Sequence, residues 1–311
     1  IPESIQDEVI ENIQSFAHYG FPESHSASFA LIAYASAYLK AHHPAAFLCA
    51  LLNAQPMGFY HPSTLVKDAQ RHGVRVLPID ITKSSYRCTL EDSQTVRLGL
   101  SYVHGLSHSS AERILVERSK APFENIQAIR SNLNLSQGEW AALAELGAFA
   151  PLGLSRRQAL WQLSKGKSKA PLFSSNSTES KPAPISEMSL MDRINADYRN
   201  ASLSVGPHPM HFIRATLSSQ DILSSAELAH QANGKNIRVA GLVTVRQRPM
   251  TAKGILFVTL EDEWGFINLI ISPELFESSR SVAVGASGMI ASGRLQSHKG
   301  IIHIKCQQIE S

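Results

Sequence analysis

The sequence predicts a multidomain α+β protein that is helical over most of its length and ends in a β-barrel. Amphipathic helical spacing near the N-terminus, a Ser-, Lys- and Pro-rich stretch further on and five strand-like runs near the C-terminus predict this division. A chain of 311 residues also favours several modules over a single core.

Residues 1–60 are predicted to be a helical unit. An amphipathic helix comes first, and Ser24 or Ser26 can cap a second helix over residues 27–41. Pro44 can open a third helix as its first residue, because its fixed φ suits the first turn. Three helices with short links indicate a compact unit.

Residues 61–97 are predicted to be a small α/β connector. A helix is expected at residues 63–72, and the short apolar runs at 74–79, 88–90 and 96–100 are typical of strands. This segment is predicted to connect the helical unit to the next domain.

Residues 98–163 are predicted to be a helix-hairpin-helix domain. The segment is LGLSYVHGLSHSSAERI, with a glycine turn just before a helix start. In such a motif backbone N–H groups bind a DNA phosphate without reading the bases. The candidate residues are His104, Gly105, Ser107 and Arg113. Ser107 stands where the motif commonly has a second glycine, and an ordinary helical hairpin is the alternative interpretation.

Residues 164–187 are rich in Ser, Lys and Pro and are predicted to be a flexible linker. The linker contains Leu172 and Phe173, an apolar pair that suggests a peptide docking into an apolar groove. Chance occurrence is the alternative. Residues 188–232 are predicted to be a helical connector.

Residues 233–311 are predicted to be an OB-fold barrel. Strand-like runs occur at residues 237–245, 255–260, 266–271, 288–295 and 301–309. A helix candidate at residues 273–284 lies between the third and fourth runs, which is the order of an OB fold.

The barrel combines cations with aromatic residues, as proteins that bind single-stranded nucleic acid do. The cationic candidates are Arg246, Arg248 and Lys253, with Trp264 and Phe266 close in sequence. We expect Phe257 in the barrel core, because aromatic residues in short strands are commonly buried. The acidic run 261–263 is expected to be a hairpin turn and not a metal site.

Composition excludes several classes of protein. The net charge is +3, yet residues 156–169 and 235–253 are locally basic and lack acidic residues, so they can bind phosphate or serve as solvated surface. No apolar run is long enough to span a membrane, and three scattered cysteines favour a reducing cytoplasm.

Histidines near the N-terminus raise the question of a metal site. His25, His42 and His43 lack the spacing of metal ligands, so no metal is predicted. His25 lies at a predicted helix start, where it can meet a phosphate or cap the helix. The sequence also has no Walker loop, no GxSxG and no paired-carboxylate strand for two Mg²⁺ ions.

Three segments carry a resemblance to a known family. They are YGFPESHSASFALIAYASAYLKAHHPAAFLCALLNAQPMGFY at residues 19–60, RQRPMTAKG at 246–254 and TLEDE at 259–263. Together with the order of modules, they resemble the C-terminal part of the bacterial C-family DNA polymerases, in the error-prone, damage-inducible branch.

The resemblance implies that residues 1–60 end a fingers domain, with Ser24, His25 and Lys40 near the incoming nucleotide and template. It also implies a palm with catalytic aspartates and two Mg²⁺ ions, to which no segment of this chain is similar. This chain would contact DNA in translesion synthesis without polymerising alone. Leu172 and Phe173 occupy the place of a sliding-clamp peptide, and an accessory mutagenesis protein is another expected partner.

Two other functions stay open from sequence. A stand-alone nucleic-acid-binding module would use the same hairpin and barrel without any chemistry. A histidine metallohydrolase is a remote third possibility, and stoichiometric zinc in the purified chain would support it.

Overall fold

The computed structural model describes residues 5–7, 9–11, 13–14, 22–58, 60–164 and 185–311. The possible clamp peptide, Leu172 and Phe173, lies outside the described residues, as does most of the predicted linker.

Three helices begin the described part of the chain: α1 (Pro22–His42), α2 (Pro44–Asn53) and α3 (Pro62–Arg71). Helix α1 begins at Pro22 and not near Ala27 as predicted, since proline fits the first turn of a helix. Pro44 opens α2 as predicted, and α2 buries Leu48 and Leu52. Helix α1 exposes large apolar side chains on several sides, with Leu31 69% and Tyr34 73% exposed.

A three-stranded sheet follows, built from β1 (Arg75–Leu77), β2 (Thr89–Asp92) and β3 (Thr95–Arg97). Strand β3 lies in the middle, parallel to β1 and antiparallel to β2. The buried Arg97 donates to Glu91 and to the Pro78 carbonyl at 3.2 Å, so its charge is satisfied inside the sheet.

The hairpin region contains a 3₁₀ turn at Leu100–Tyr102 and four helices: α4 (His108–Lys120), α5 (Ile126–Asn132), α6 (Gln137–Glu145) and α7 (Arg156–Ser164). Serine or asparagine caps the first three of these, and Ser136 with Glu139 forms a capping box. Buried residues from Ala45 to Leu203 form one continuous cluster. The end of the helical unit, the connector and the hairpin region therefore share a core.

Helix α8 (Leu190–Ala201) closes this body, and α9 (Arg214–Ser218), β4 (Ile222–Leu223) and α10 (Ser225–Leu228) lead to the barrel. Arg156 donates to Asp197 at 2.7 Å, and the buried Lys67 ammonium of α3 donates to the Ser204 carbonyl at 2.9 Å. Burial lowers the pKa of Lys67 to about 8. Helix α3 is thus anchored to the segment after α8.

The barrel consists of β5 (Asn236–Gln247), β6 (Leu256–Glu261), β7 (Phe266–Ile271), β8 (Gly288–His298) and β9 (Ile301–Glu310). Strand β5 pairs with β6 and with β8, β6 pairs with β7, β7 pairs with β9, and β9 pairs with β8, so the pairings close the barrel. Two short helices, α11 (Pro273–Ser278) and α12 (Arg280–Gly285), separate the third and fourth barrel strands. The predicted OB fold is confirmed, while the exact domain boundaries stay predictions.

An acidic turn, Glu261–Asp262–Glu263, joins the barrel to the rest of the chain. Glu261 accepts from Thr64 at 3.1 Å and from Arg71 at 2.7 Å, both on α3. Asp262 is fully buried and accepts from Ser225 and from the backbone of residues 264 and 265. Arg214 binds both Glu263 oxygens, at 3.0 and 2.8 Å. The turn therefore connects α3, α9 and α10 to the barrel.

Asp262→Ala should lower the free energy of unfolding by about 3 to 5 kcal/mol, because it leaves several buried donors without an acceptor. Urea titration followed by circular dichroism measures this loss. The exposed Glu310 on β9 is the matched control, and its alanine variant should change stability by less than about 0.5 kcal/mol. Equal effects of the two substitutions would contradict the role of the acidic turn.

A second prediction concerns the buried His208, whose Nδ1 accepts from the Met210 amide at 3.2 Å. Burial lowers the pKa of His208 to about 4. Between pH 6.5 and 4 the unfolded chain therefore binds a proton that the folded chain refuses, and stability falls as pH falls. The loss should reach at most about 3 kcal/mol.

Replacing this histidine, His208→Asn, keeps an acceptor for the cap and should flatten the dependence of stability on pH in that window. Urea midpoints at neutral and acidic pH provide the measurement, with the exposed His298→Asn as control. If both variants lose stability with acid as steeply as the parent chain, His208 is not the responsible group.

Candidate nucleic-acid interface

The helix-hairpin-helix turn has the backbone geometry that its sequence predicted. Gly105 adopts φ +77°, a conformation that L side chains rarely adopt, and Ser107 caps α4 by accepting from the Ser110 amide at 3.1 Å. Gly105, Ser107 and His108 are all exposed. The turn therefore presents backbone to solvent at the positive end of a helix.

A carboxylate lies directly behind this turn. Glu139 of α6 accepts from the Ser107 amide at 3.1 Å and from the Ser136 amide at 2.7 Å. Burial by itself raises the pKa of Glu139, but hydrogen bonds from Ser110, Ser136 and Ser107 outweigh burial and lower the pKa to about 2. Glu139 thus uses one helix N–H that the motif could otherwise offer to a phosphate.

The other hairpin candidates contact protein. His104 lies against the end of α8, with Nδ1 3.0 Å from the Arg199 carbonyl and Nε2 3.0 Å from the Ser202 hydroxyl. Arg113 donates to the Ser110 hydroxyl at 2.7 Å and to the Asn134 carbonyl at 3.2 Å. Both residues are exposed, but their side chains already have hydrogen-bond partners within the protein.

A polar cleft of about 460 Å³ opens beside the turn. Its lining includes His61, Tyr86, Arg87, Ser101 and His104. Within the described part of the chain the Arg87 guanidinium has no hydrogen bond or ion pair, although neighbouring arginines do. Sequence reasoning missed Arg87 because it precedes the hairpin segment and lies in no motif.

The outer face of the barrel carries exposed aromatic rings. Phe257 is 38% exposed, so its predicted place in the core is wrong. Its neighbours Leu256 and Val258 are buried and take the inner positions, which leaves Phe257 outside. Phe266 and Trp264 are 40% and 51% exposed and lie beneath the guanidinium groups of Arg71 and Arg214, at 5.2 and 5.4 Å.

The two barrel arginines have different surroundings. Arg246 pairs in register with the buried Val258, and its guanidinium donates to the Ala283 carbonyl at 2.8 Å and to the Ala286 carbonyl. A bulge between Val243 and Val245 places Arg246 on that side. Arg246 therefore binds the C-terminal carbonyls of α12.

Arg248 is more accessible than Arg246. Its guanidinium lies 4.2 Å from the centre of the Phe276 ring, and its side chain is 42% exposed. Lys253 adopts φ +50° in the loop between β5 and β6, next to Gly254 at φ +82°. Arg248 and Lys253 thus lie in the same loop.

The fingers candidates lie on α1. Lys40 forms an ion pair with Asp68 of α3 at 2.7 Å, and its side chain is 48% exposed. The His25 ring packs 4.5 Å from the Phe29 ring, and Ser24 belongs to the first turn of the helix. Ser24 and His25 lie near the start of α1 and Lys40 lies in its last turn, so the length of the helix separates Lys40 from the other two.

A second cleft, of about 420 Å³, lies between α3 and the barrel. His61 lines this cleft as well as the cleft beside the hairpin turn. Its Nδ1 accepts from the Ser63 amide at 3.3 Å, and burial lowers its pKa, which favours the neutral ring. The hairpin turn and the barrel face are therefore connected through His61.

Among the described residues, no group of three His, Cys, Asp or Glu side chains could hold a metal ion. No helix in the described ranges is long and apolar enough to cross a membrane.

A hairpin turn and an OB barrel joined by polar clefts define a nucleic-acid-binding chain. The family described as "Helix-hairpin-helix motif" matches residues 73–159, and the family described as "OB-fold nucleic acid binding domain" matches residues 237–311. Both predicted modules are thereby confirmed.

Curated relatives match nearly the whole chain. A Burkholderia pseudomallei protein named "Error-prone DNA polymerase" is 43% identical over 98% of this chain and 29% of its own length. A Methylococcus capsulatus protein of the same name is 40% identical over 97% of this chain and 31% of its own length. The chain is therefore similar over nearly its whole length to proteins named error-prone DNA polymerase, and it spans about three tenths of their length.

Solved structures add little. The asparaginyl-tRNA synthetase from Pyrococcus horikoshii complexed with asparaginyl-adenylate has a TM-score of 0.25 and 18% identity, covering 29% of this chain and 21% of its own. A likeness this weak supports no inference.

Arg246→Ala should lower the free energy of unfolding by about 2 kcal/mol, because the guanidinium holds two carbonyls of the barrel helix. Arg248→Ala, two residues further along the chain, is the matched control and should cost less than about 1 kcal/mol, since its side chain is partly exposed. Thermal unfolding of both variants checks this. A larger loss for Arg248→Ala would contradict the different surroundings of the two arginines.

Proposed function

We propose that this chain is the DNA-contacting part of an error-prone DNA polymerase that acts in translesion synthesis after DNA damage. The similarity to proteins named error-prone DNA polymerase and the two nucleic-acid-binding modules support the proposal. The observation that carries it furthest is the pair of clefts that share His61 and join the hairpin turn to the barrel face.

The division of labour follows from the chemistry of each module. Backbone N–H groups at the start of α4 would bind a phosphate of duplex DNA. Arg87, which has no partner among the described residues, would be the nearby cation. The barrel would hold single-stranded template, with phosphates on cations such as Arg248 and Lys253 and bases on exposed rings. Phosphate binding and ring stacking do not depend on base identity, which suits an enzyme that copies any template.

Nucleotide addition itself is proposed to lie outside this chain. The described residues do not fit a two-Mg²⁺ centre, so Mg²⁺ would be held by other parts of the polymerase. The chain alone is then inactive as a polymerase, and Ser24, His25 and Lys40 would lie near its nucleotide and template. A cytoplasmic location fits this function.

The proposed protein partners are the sliding clamp and an accessory mutagenesis protein. For the clamp, the candidate peptide is Leu172–Phe173, outside the described residues. The sequence pattern and the resemblance support this part of the proposal.

Binding of DNA should weaken as salt concentration rises, because each phosphate contact releases counterions. Arg87→Ala should lower the slope of log affinity against log salt by about one and weaken binding to a primer-template duplex. Fluorescence anisotropy with a labelled duplex measures both. The exposed Arg280, which pairs with Glu277 at 3.4 Å, provides the control variant Arg280→Ala.

Affinity independent of salt would overturn the DNA-binding function. If Arg87→Ala and the parent chain have the same slope of log affinity against log salt, the cleft beside the hairpin is not part of the interface.

A further inference from the structure

The cleft between α3 and the barrel has a volume of about 420 Å³, which lies within the range of small-molecule sites. Tyr60 and His61 line it from the body, and the outer face of β5, β6 and β7 lines it from the barrel. The site exists only where the two parts of the chain meet. Tyr60 is the last residue of the segment QPMGFY, residues 55–60.

Two amide side chains in this cleft have unused hydrogen-bonding capacity. The Gln247 amide and the Asn268 Nδ2 make no hydrogen bond to any residue within the described ranges, and both residues are exposed. An amide offers a donor and an acceptor side by side, which matches the edge of a nucleobase. The neighbouring Thr244 hydroxyl, in contrast, already donates to the Thr259 carbonyl at 3.0 Å.

Aromatic rings supply the apolar part of the lining. Phe266 and Tyr60 are 40% and 56% exposed. The Phe266 ring carries the Arg71 guanidinium at 5.2 Å, which fixes the ring between helix and barrel. Replacing a ring on which a base stacks by alanine costs about 1 to 3 kcal/mol, which is a loss of roughly 5- to 150-fold in affinity.

The charges around the cleft favour binding of the anionic sugar-phosphate backbone of a nucleic acid. Glu261 is the nearest carboxylate in register, opposite Phe266, and its charge is met by Arg71 at 2.7 Å. On the other side, Asn268 pairs with His303 and Ile270 pairs with Lys305, so a cation lies two positions along the same face. A phosphate next to a bound base would meet Lys305.

We propose that this composite cleft binds one unpaired nucleobase of single-stranded DNA, with its edge on Gln247 and Asn268 and its face on Phe266. This inference rests on the proposed function and deepens it, because it names a base-binding pocket that needs both parts of the chain. Paired bases would not enter, since their edges are already hydrogen-bonded to each other.

The test uses the double variant Gln247→Ala, Asn268→Ala in the full chain, with the exposed Gln307→Ala on β9 as control. The probes are a labelled oligothymidylate of about 16 nucleotides, the upper site size of one OB fold, and an abasic oligomer of the same length. The double variant should bind the oligothymidylate about tenfold more weakly, because two hydrogen bonds are lost. It should bind the abasic oligomer as the parent chain does.

Anisotropy titrations separate the outcomes. Weaker binding of the double variant to both probes, or to neither, overturns the pocket, as does an equal effect of Gln307→Ala. If the parent chain binds neither probe, single-strand binding fails and the pocket fails with it. Circular dichroism and urea midpoints equal to those of the parent show that the variant is folded, so that a loss of affinity reflects the site.

Discussion

Two adjacent buried carboxylates, Glu261 and Asp262, hold the barrel against the helical body. Burial raises the pKa of Glu261, and Arg71 and Thr64 oppose that shift by hydrogen-bonding to its charged form. Such bonds work only at short distance and in the right direction, unlike apolar contacts. The placement of the barrel relative to α3 is therefore defined closely, although the buried charges themselves are costly.

Helix α3 is the element through which this constraint spreads. Its Lys67 binds the Ser204 carbonyl at 2.9 Å, while Arg71, one turn later, binds Glu261 at 2.7 Å. One short helix thus connects the segment after α8 to the barrel. The N-cap of the same helix is His61, the residue common to both clefts. The position of both clefts, and with it the proposed interface for nucleic acid, therefore depends on how α3 is anchored.

Much of the fold could be predicted from the sequence because local patterns encode it. Strand alternation and the helix after the third barrel strand predicted the OB fold, and a glycine before a serine cap predicted the hairpin turn. The residues of the candidate site were harder to predict from the sequence. Phe257 lies in the run Ile255–Leu260, where nearly every residue is apolar, so alternation gave no sign of which side faces out. The bulge near Val245 likewise moved Arg246 to the inner side.

By itself the sequence determined the order of the modules, their type and the resemblance to a polymerase family, since these depend on neighbours in the chain and on motifs. Only the tertiary structure decided which polar groups are free. His104 and Arg113 find partners in the folded chain, whereas Arg87 has none among the described residues. The physical reason is that a charge is satisfied by whatever folding brings near it: Arg71 meets Glu261 across 190 residues of sequence.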